Sequence, residues 1–194
     1  MSKSVYVFLA DGFEEGEAVI PVDIMRRAGI EVTLVSITEE KLVVSSHGVK
    51  VLAERSIGEL GTELPDGVFL PGGMPGAVNL SQCWALNEMI LRMNAEGRLV
   101  SAICASPSVV LANLMILDGR DATCYPGCEK YSKKRDFIDS GVVVDGNIIT
   151  GMSVGYAPDM ALEIVSYLLG GEKADEIYDE IVPGGEDGYD DFEE

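Results

Sequence analysis

The chain has 194 residues, 47% of them hydrophobic, and a formal charge of −19 at neutral pH. That apolar content suits one domain with a full core, and the negative field opposes phosphate backbones, which excludes a nucleic-acid partner. No apolar run approaches the ~18 residues of a spanning helix and the first residues do not form a secretory leader, so the expectation is a cytoplasmic protein without a membrane partner and with reduced cysteines.

In chain order, "SVYVFLA" (residues 4–10) reads as a strand and "EGEAVIPVDIMRRAG" as an amphipathic helix stopped by Gly29. "EVTLVSI" is the next strand, and this βαβ opening implies a parallel sheet. "KLVVSS" and "VKVLAE", separated by His47 and Gly48, form a short excursion in strand form, after which "DGVFLPGG" returns to the sheet. The spacing of "SQCWALNEMILRMNAEG" predicts one helix with Ser81 as N-cap and Gly97 as its stop. "RLVSAIC" reads as a strand covered on both faces, followed by a helix over "SPSVVLANLMIL" with Pro107 in its first turn. "GVVVDGNIIT" is two β-branched runs around Asp145 and Gly146, a strong hairpin signal. "APDMALEIVSYLLGG" and "EKADEIYDEI" are closing helices.

The pattern specifies an α/β three-layer sandwich: a mostly parallel sheet, helices on both faces, and a hairpin near an edge. The domain is expected over 1–183. Residues 184–194 form a solvated acidic tail, in keeping with the ten acidic and no basic residues that follow Lys173.

In such folds sites gather beyond the carboxyl ends of the strands, where "ADGFEEGE", "LPGGMPG" and "AICASP" all fall. Cys104 stands where a strand meets a helix start. It reads either as a small packed residue or as a nucleophile whose thiol pKa is depressed by the free N–H groups of that helix. Gly72 and Gly73 permit close backbone approach, and their N–H groups with that of Ala105 can form an oxyanion hole. One of Glu14, Glu15 and Glu17, at another strand end, can approach the sulfur. "LPGGMPGAVN" lacks both the Lys-Ser/Thr ending of a phosphate loop and the order of a dinucleotide fingerprint.

Together "AICASP", "LPGG" and "EEGEAVIPVDIMRRAGI" resemble the ThiJ/PfpI family, in the branch of the Parkinsonism-associated deglycase DJ-one and its bacterial relatives, in order from about Val5 to Leu169. The resemblance implies a flavodoxin-like fold and a homodimer with the first helix in its interface. It also implies a nucleophilic cysteine in a strained turn, here Cys104, hydrogen-bonded by a glutamic acid, here Glu17. Gly73 and Ala105 match the residues whose backbone N–H groups face the sulfur. A carboxyl group beside a thiolate resists ionising, so Glu17 is expected as a proton donor.

The implied activity is that of a cofactor-independent glyoxalase or deglycase acting on reactive dicarbonyls or early glycation adducts, with no metal. The alternative is a redox-responsive stress protein, a cysteine-sulfinate sensor with chaperone activity and little turnover. Three departures stand out. Tyr125 precedes the proline where many members have histidine, Ala105 replaces the histidine of protease-like members and disfavours peptidase chemistry, and "GMSVG" replaces an arginine-bearing loop.

Four further expectations concern the pocket. His47, the lone histidine, is either an exposed turn residue or a ligand for an anionic substrate, and Arg27 either reaches the same region or complements the helix dipole. Asp23, in the apolar stretch "AVIPVDIM", is expected to be buried and to pair with Tyr125. Cys124 and Cys128 supply half a metal-ligand set with no matching pair, so a resolving role toward Cys104 is the better reading of either.

Overall fold

The computed structural model describes residues 2–132 and 136–182. Nine strands and five α-helices follow in order: β1 (Ser4–Leu9), α1 (Glu15–Arg27), β2 (Glu31–Ser36), β3 (Leu42–Val44), β4 (Lys50–Leu52), β5 (Arg55–Ser56), β6 (Gly67–Leu70), α2 (Gly76–Gln82), α3 (Trp84–Ala95), β7 (Leu99–Ile103), β8 (Val142–Asp145), β9 (Ile148–Gly151), α4 (Ala157–Leu169) and α5 (Gly171–Ile181). Seven strands form one sheet in the order β5-β2-β1-β6-β7-β9-β8. Every pairing in it is parallel except β8 with β9, the expected hairpin, which lies at one edge. The excursion at β3 and β4 is a separate antiparallel pair.

Alternation along the strands builds the three layers, because successive side chains leave opposite faces. Val5, Val7 and Leu9 of β1 pack with Phe69, Ile103 and Ile149 beneath Ile24 and Met25 of α1 and Met160 and Ile164 of α4. Phe8, Val68, Leu70 and Val100 face the other way, under Leu80 of α2 and Leu86, Ile90 and Met93 of α3. Both clusters are buried, so the central strands are packed on both faces and their carboxyl ends form a platform for side chains. No helix among the described residues is long and apolar enough to cross a membrane. The acidic tail expected at 184–194 lies outside the described residues.

Two helices differ from expectation. The helix expected to start at Ser81 is two helices, broken where Cys83 turns extended at ψ 103°. Ser81 caps nothing: it sits in the last turn of α2 and its hydroxyl donates to the Val78 carbonyl at 2.7 Å. The segment after Cys104 is not an α-helix but a π-type turn over Pro107–Leu111, in which the Ala112 N–H reaches the Pro107 carbonyl at 2.9 Å. All five residues of this turn are buried, so packing on every side decides its form and no amphipathic period acts on it.

The inward face of α3 gives a direct check. Ile90→Ala is expected to lower the unfolding free energy by ~2–5 kcal/mol, whereas Leu91→Ala, on the exposed side, changes it by less than ~1 kcal/mol. Urea unfolding of both variants measures this.

Candidate active site

Cys104 directly follows β7 and has φ 64°, a left-handed conformation unusual for a side chain other than glycine. Its backbone is pinned on both sides: the N–H donates to the Gly151 carbonyl at the end of β9 (2.9 Å), and the carbonyl accepts from the Tyr125 N–H (2.8 Å). The buried Ser106 hydroxyl ties the next turn to the Pro71 carbonyl at 2.6 Å. These bonds keep the thiol turned out of the β7 line, toward the glycine turn after β6.

That turn has no room for side chains. A Cβ on Gly72 would lie 2.6 Å from the Cys104 Cβ and 2.7 Å from a Glu17 carboxyl oxygen; one on Gly73, at φ 88°, would meet the Glu14 backbone nitrogen at 2.5 Å. Bare backbone is therefore what lets the Gly72 N–H donate to Glu17 at 3.0 Å and the Gly73 N–H reach the sulfur of Cys104, where the Ala105 N–H also points.

Glu17 arrives from the first turn of α1 and is only 1% exposed. Its placement depends on a neighbour: the Glu14 carboxylate caps the helix by accepting the Glu17 N–H at 2.6 Å. The Glu17 carboxyl is hydrogen-bonded to the Cys104 thiol and accepts from the backbone N–H groups of Gly72 and Val154. Burial, helped by the Glu14 charge, raises its pKa from 4.5 to about 7 despite those bonds. It thus gains or loses a proton near neutrality.

The thiol moves opposite to the expectation of a depressed pKa. Burial and then the charge of Glu17 push Cys104 above its ordinary range, and the Gly73 and Ala105 N–H groups only partly offset them. The expected aid from a helix terminus is small because the following turn spans five residues and carries little macrodipole. When Glu17 takes the proton, however, the repulsion it exerts on the sulfur disappears. Above about pH 7, where Glu17 has titrated, Cys104 and Glu17 share one proton, and the thiolate belongs to the form in which Glu17 holds it.

The structure holds Asp23 and Arg27 away from this pair and sets His47 against Glu15 at the start of α1. Asp23 is exposed and accepts from Arg27 at 2.8 Å, one helical turn on, so its expected pairing with Tyr125 is replaced by this ion pair. Arg27 also binds Glu180 at 2.6 Å, and ten residues of helix place it about 15 Å along α1 from Glu17. His47, 72% exposed, lies 3.1 Å from a Glu15 oxygen. Tyr125 is adjacent through its backbone while its side chain is 47% exposed.

Glu14, Glu15 and His47 have ligand atoms within 4.8 Å of one another, the one metal-compatible group among the described residues. Glu14 is already engaged in capping and Glu15 in pairing with His47. Glu14, in sequence one of an acidic cluster, stands three residues before Glu17, and that spacing is the signal for a cap. The contributions of Gly151 and Ser106 come from tertiary contact and leave no local signal.

The family model described as DJ-1/PfpI matches residues 3–167. The chain is 38% identical over 179 residues to the Parkinson disease protein 7 homolog of Danio rerio, covering 90% of this chain and 94% of that one. It is 35% identical over 190 residues to Protein DJ-1 homolog B of Arabidopsis thaliana, matching 95% of this chain but only 43% of that longer protein. A homolog A from the same plant is likewise spanned for less than half its length, 45%. Among solved structures, oxidised Toxoplasma gondii DJ-1 superposes with a TM-score of 0.89 at 35% identity, covering 93% of this chain and 98% of that chain.

The raised pKa of Glu17 makes stability depend on pH. Between 4.5 and about 7 the folded state holds a proton on Glu17 that the unfolded state has lost, so stability falls as pH rises through this window. The full loss, on the order of 3 kcal/mol, is reached above it. Glu17→Gln carries no charge and escapes this loss. Denaturant unfolding at pH 4.5 and pH 8 is expected to show the variant gaining on the wild type at the higher pH; a constant difference contradicts the assignment.

Proposed function

This chain belongs to the DJ-1/PfpI family, which has enzymatic members, and on that premise we propose that it is a cofactor-independent enzyme of the glyoxalase or deglycase type. Its substrates are reactive dicarbonyls or early glycation adducts, Cys104 is the nucleophile and Glu17 the general acid and base. The observation that carries this reading is the buried Glu17 carboxyl, poised near neutral pKa and hydrogen-bonded to a thiol in a left-handed turn.

With methylglyoxal, Glu17 takes the thiol proton as sulfur attacks the aldehyde carbon. The C=O electron pair moves to oxygen beside the backbone N–H groups of Gly73 and Ala105, and Glu17 returns the proton to give a hemithioacetal. As a carboxylate, Glu17 then removes the proton from the former aldehyde carbon, giving an enediol, and delivers it to the neighbouring carbon. The product is a thioester, which water cleaves to lactate and free Cys104. The net reaction adds one water to the dicarbonyl and needs no redox partner. No step uses an imidazole, so Tyr125 in the family's histidine position is compatible with it.

Glutathione-free conversion of methylglyoxal to lactate tests the reading. Wild type is expected to turn over, and Cys104→Ser and Glu17→Gln each to lose activity by at least ~10²-fold. A wild type as inactive as its variants removes the dicarbonyl role and leaves oxidation of Cys104 as the output.

The same reading includes a homodimer through α1. Val19, 52% exposed, borders an apolar groove with Ile20, Ile24, Pro158, Ile181 and Val182, a surface that a second copy would cover. Sedimentation is expected to give a dimer for the wild type and a monomer for Val19→Asp; a wild type that stays monomeric at high concentration overturns it.

A further inference from the structure

The fold carries a second thiol beside the Cys104 site. Tyr125, Pro126, Gly127 and Cys128 form a tight turn: the Cys128 N–H donates to the Tyr125 carbonyl at 2.9 Å, Pro126 holds the second position and Gly127 the third at φ 89°, the residue pattern of a type II turn. The Tyr125 N–H in turn donates to the Cys104 carbonyl. This two-step ladder lays the turn against the nucleophile segment. Cys104 and Cys128 both pack on the small cluster of Ala77, Ala105 and Val109, and Cys128 lies close enough to Glu17 to feel its charge.

The other cysteines are placed differently. Cys124 is buried, with its Sγ 3.6 Å from the Tyr125 carbonyl, and Cys83 packs with the α2 and α3 side of the sheet.

We propose that Cys128 is a resolving thiol for Cys104, giving the chain a hydroperoxide-reducing activity that ends in an internal Cys104 to Cys128 disulfide. The proposal rests on the reading of Cys104 as the reactive thiol. First, the Cys104 thiolate attacks a hydroperoxide: the O–O bond breaks, a sulfur–oxygen bond forms, and the alcohol or water leaves with the proton held by Glu17. Next, Cys128 attacks the resulting sulfenic acid, a sulfur–sulfur bond forms and water departs. A dithiol reductant then restores both thiols and is itself oxidised to its disulfide.

The order of events follows from the surroundings. Burial raises both thiols, and what distinguishes Cys104 is the Glu17 carboxyl hydrogen-bonded to it, which takes its proton as the sulfur attacks. Peroxide is therefore met first by Cys104. Closing the bond requires Cα atoms within about 7 Å, and the hydrogen bonds through Tyr125 hold the Cys128 turn against the Cys104 segment.

The test treats the full chain with stoichiometric and excess hydrogen peroxide, blocks remaining thiols under denaturing conditions, and maps the peptides by mass. Wild type is expected to fall from four reduced thiols to two, with the Cys104 and Cys128 peptides linked; Cys124→Ser retains the link. In Cys128→Ser the link is absent, and Cys104 gains two oxygens as sulfinate at a peroxide ratio where wild type stops at the disulfide. Equal sulfinate formation in wild type and Cys128→Ser, with no linked peptide, overturns the proposal while leaving Cys104 reactive. A link from Cys104 to Cys83 or Cys124 overturns it as well, and an unmodified Cys104 overturns it together with the reading on which it rests.

Discussion

The left-handed backbone of Cys104 is the constraint on which the rest of the site depends. A non-glycine residue in that region costs roughly 1–3 kcal/mol, and the surrounding structure must over-determine it. Here β9 takes its N–H, the loop at Tyr125 supplies a donor to its carbonyl, and Ser106 anchors the next turn to Pro71. Each tie comes from a different part of the chain, so the conformation exists only once the parallel sheet has assembled. The strand order places the ends of β6, β7 and β9 side by side, which lets one residue be gripped from several directions.

Burial, not a helix dipole, sets the electrostatics that follow. In water a carboxyl near pKa 4.5 would give up its proton long before a thiol. Removing Glu17 from solvent costs its charged form more than the Gly72 and Val154 N–H groups return, and its pKa rises to about 7. Cys104 is penalised by the same burial and by its neighbour's charge. Two acids that both resist ionising and share a hydrogen bond hold two protons below about pH 7 and one above it. That is the property a proton shuttle needs, and it arises from packing rather than from any cationic side chain.

The sheet was legible because β-branched runs, glycine stops and the Asp145-Gly146 hairpin are local signals. That one of Glu14, Glu15 and Glu17 approaches Cys104 with the two glycines was legible too, since strand ends in this topology converge; that it is Glu17 followed only from the family resemblance. What escaped lies in two kinds of place. Where a segment is buried all round, as at Pro107–Leu111, apolar residues carry no period and the form of the turn is set by neighbours. Ser81 failed as a cap because α2 ends there and occupies its hydroxyl. Asp23 failed for a different reason: "AVIPVDIM" looks apolar along the chain, but each step turns the helix by about 100°, and Asp23 faces outward. Its partner Arg27 stands at the i+4 position, a pairing visible in the sequence and a better guide than the apolar flanks.

The charge of the chain bears on which molecules this pair can serve. Glu14 and Glu15 stand at the start of α1 beside the buried carboxyl, His47 is taken up by Glu15, and Arg27 is held by Asp23 and Glu180 at the far end of the helix. An anionic substrate would approach against this field, with Arg27 held by its own partners and His47 already paired with Glu15. In the proposed reaction a neutral dicarbonyl feels no such barrier, and the hydroxy acid formed from it becomes an anion on release, so the field that ignores the substrate disfavours retention of the product. The same logic applies to the sulfur: an oxidised, negatively charged Cys104 is tolerated next to Glu17 only if Glu17 keeps its proton. In the proposed reaction, substrate polarity and product release thus answer to the acidic start of α1, and the fate of the oxidised thiol to the proton on Glu17.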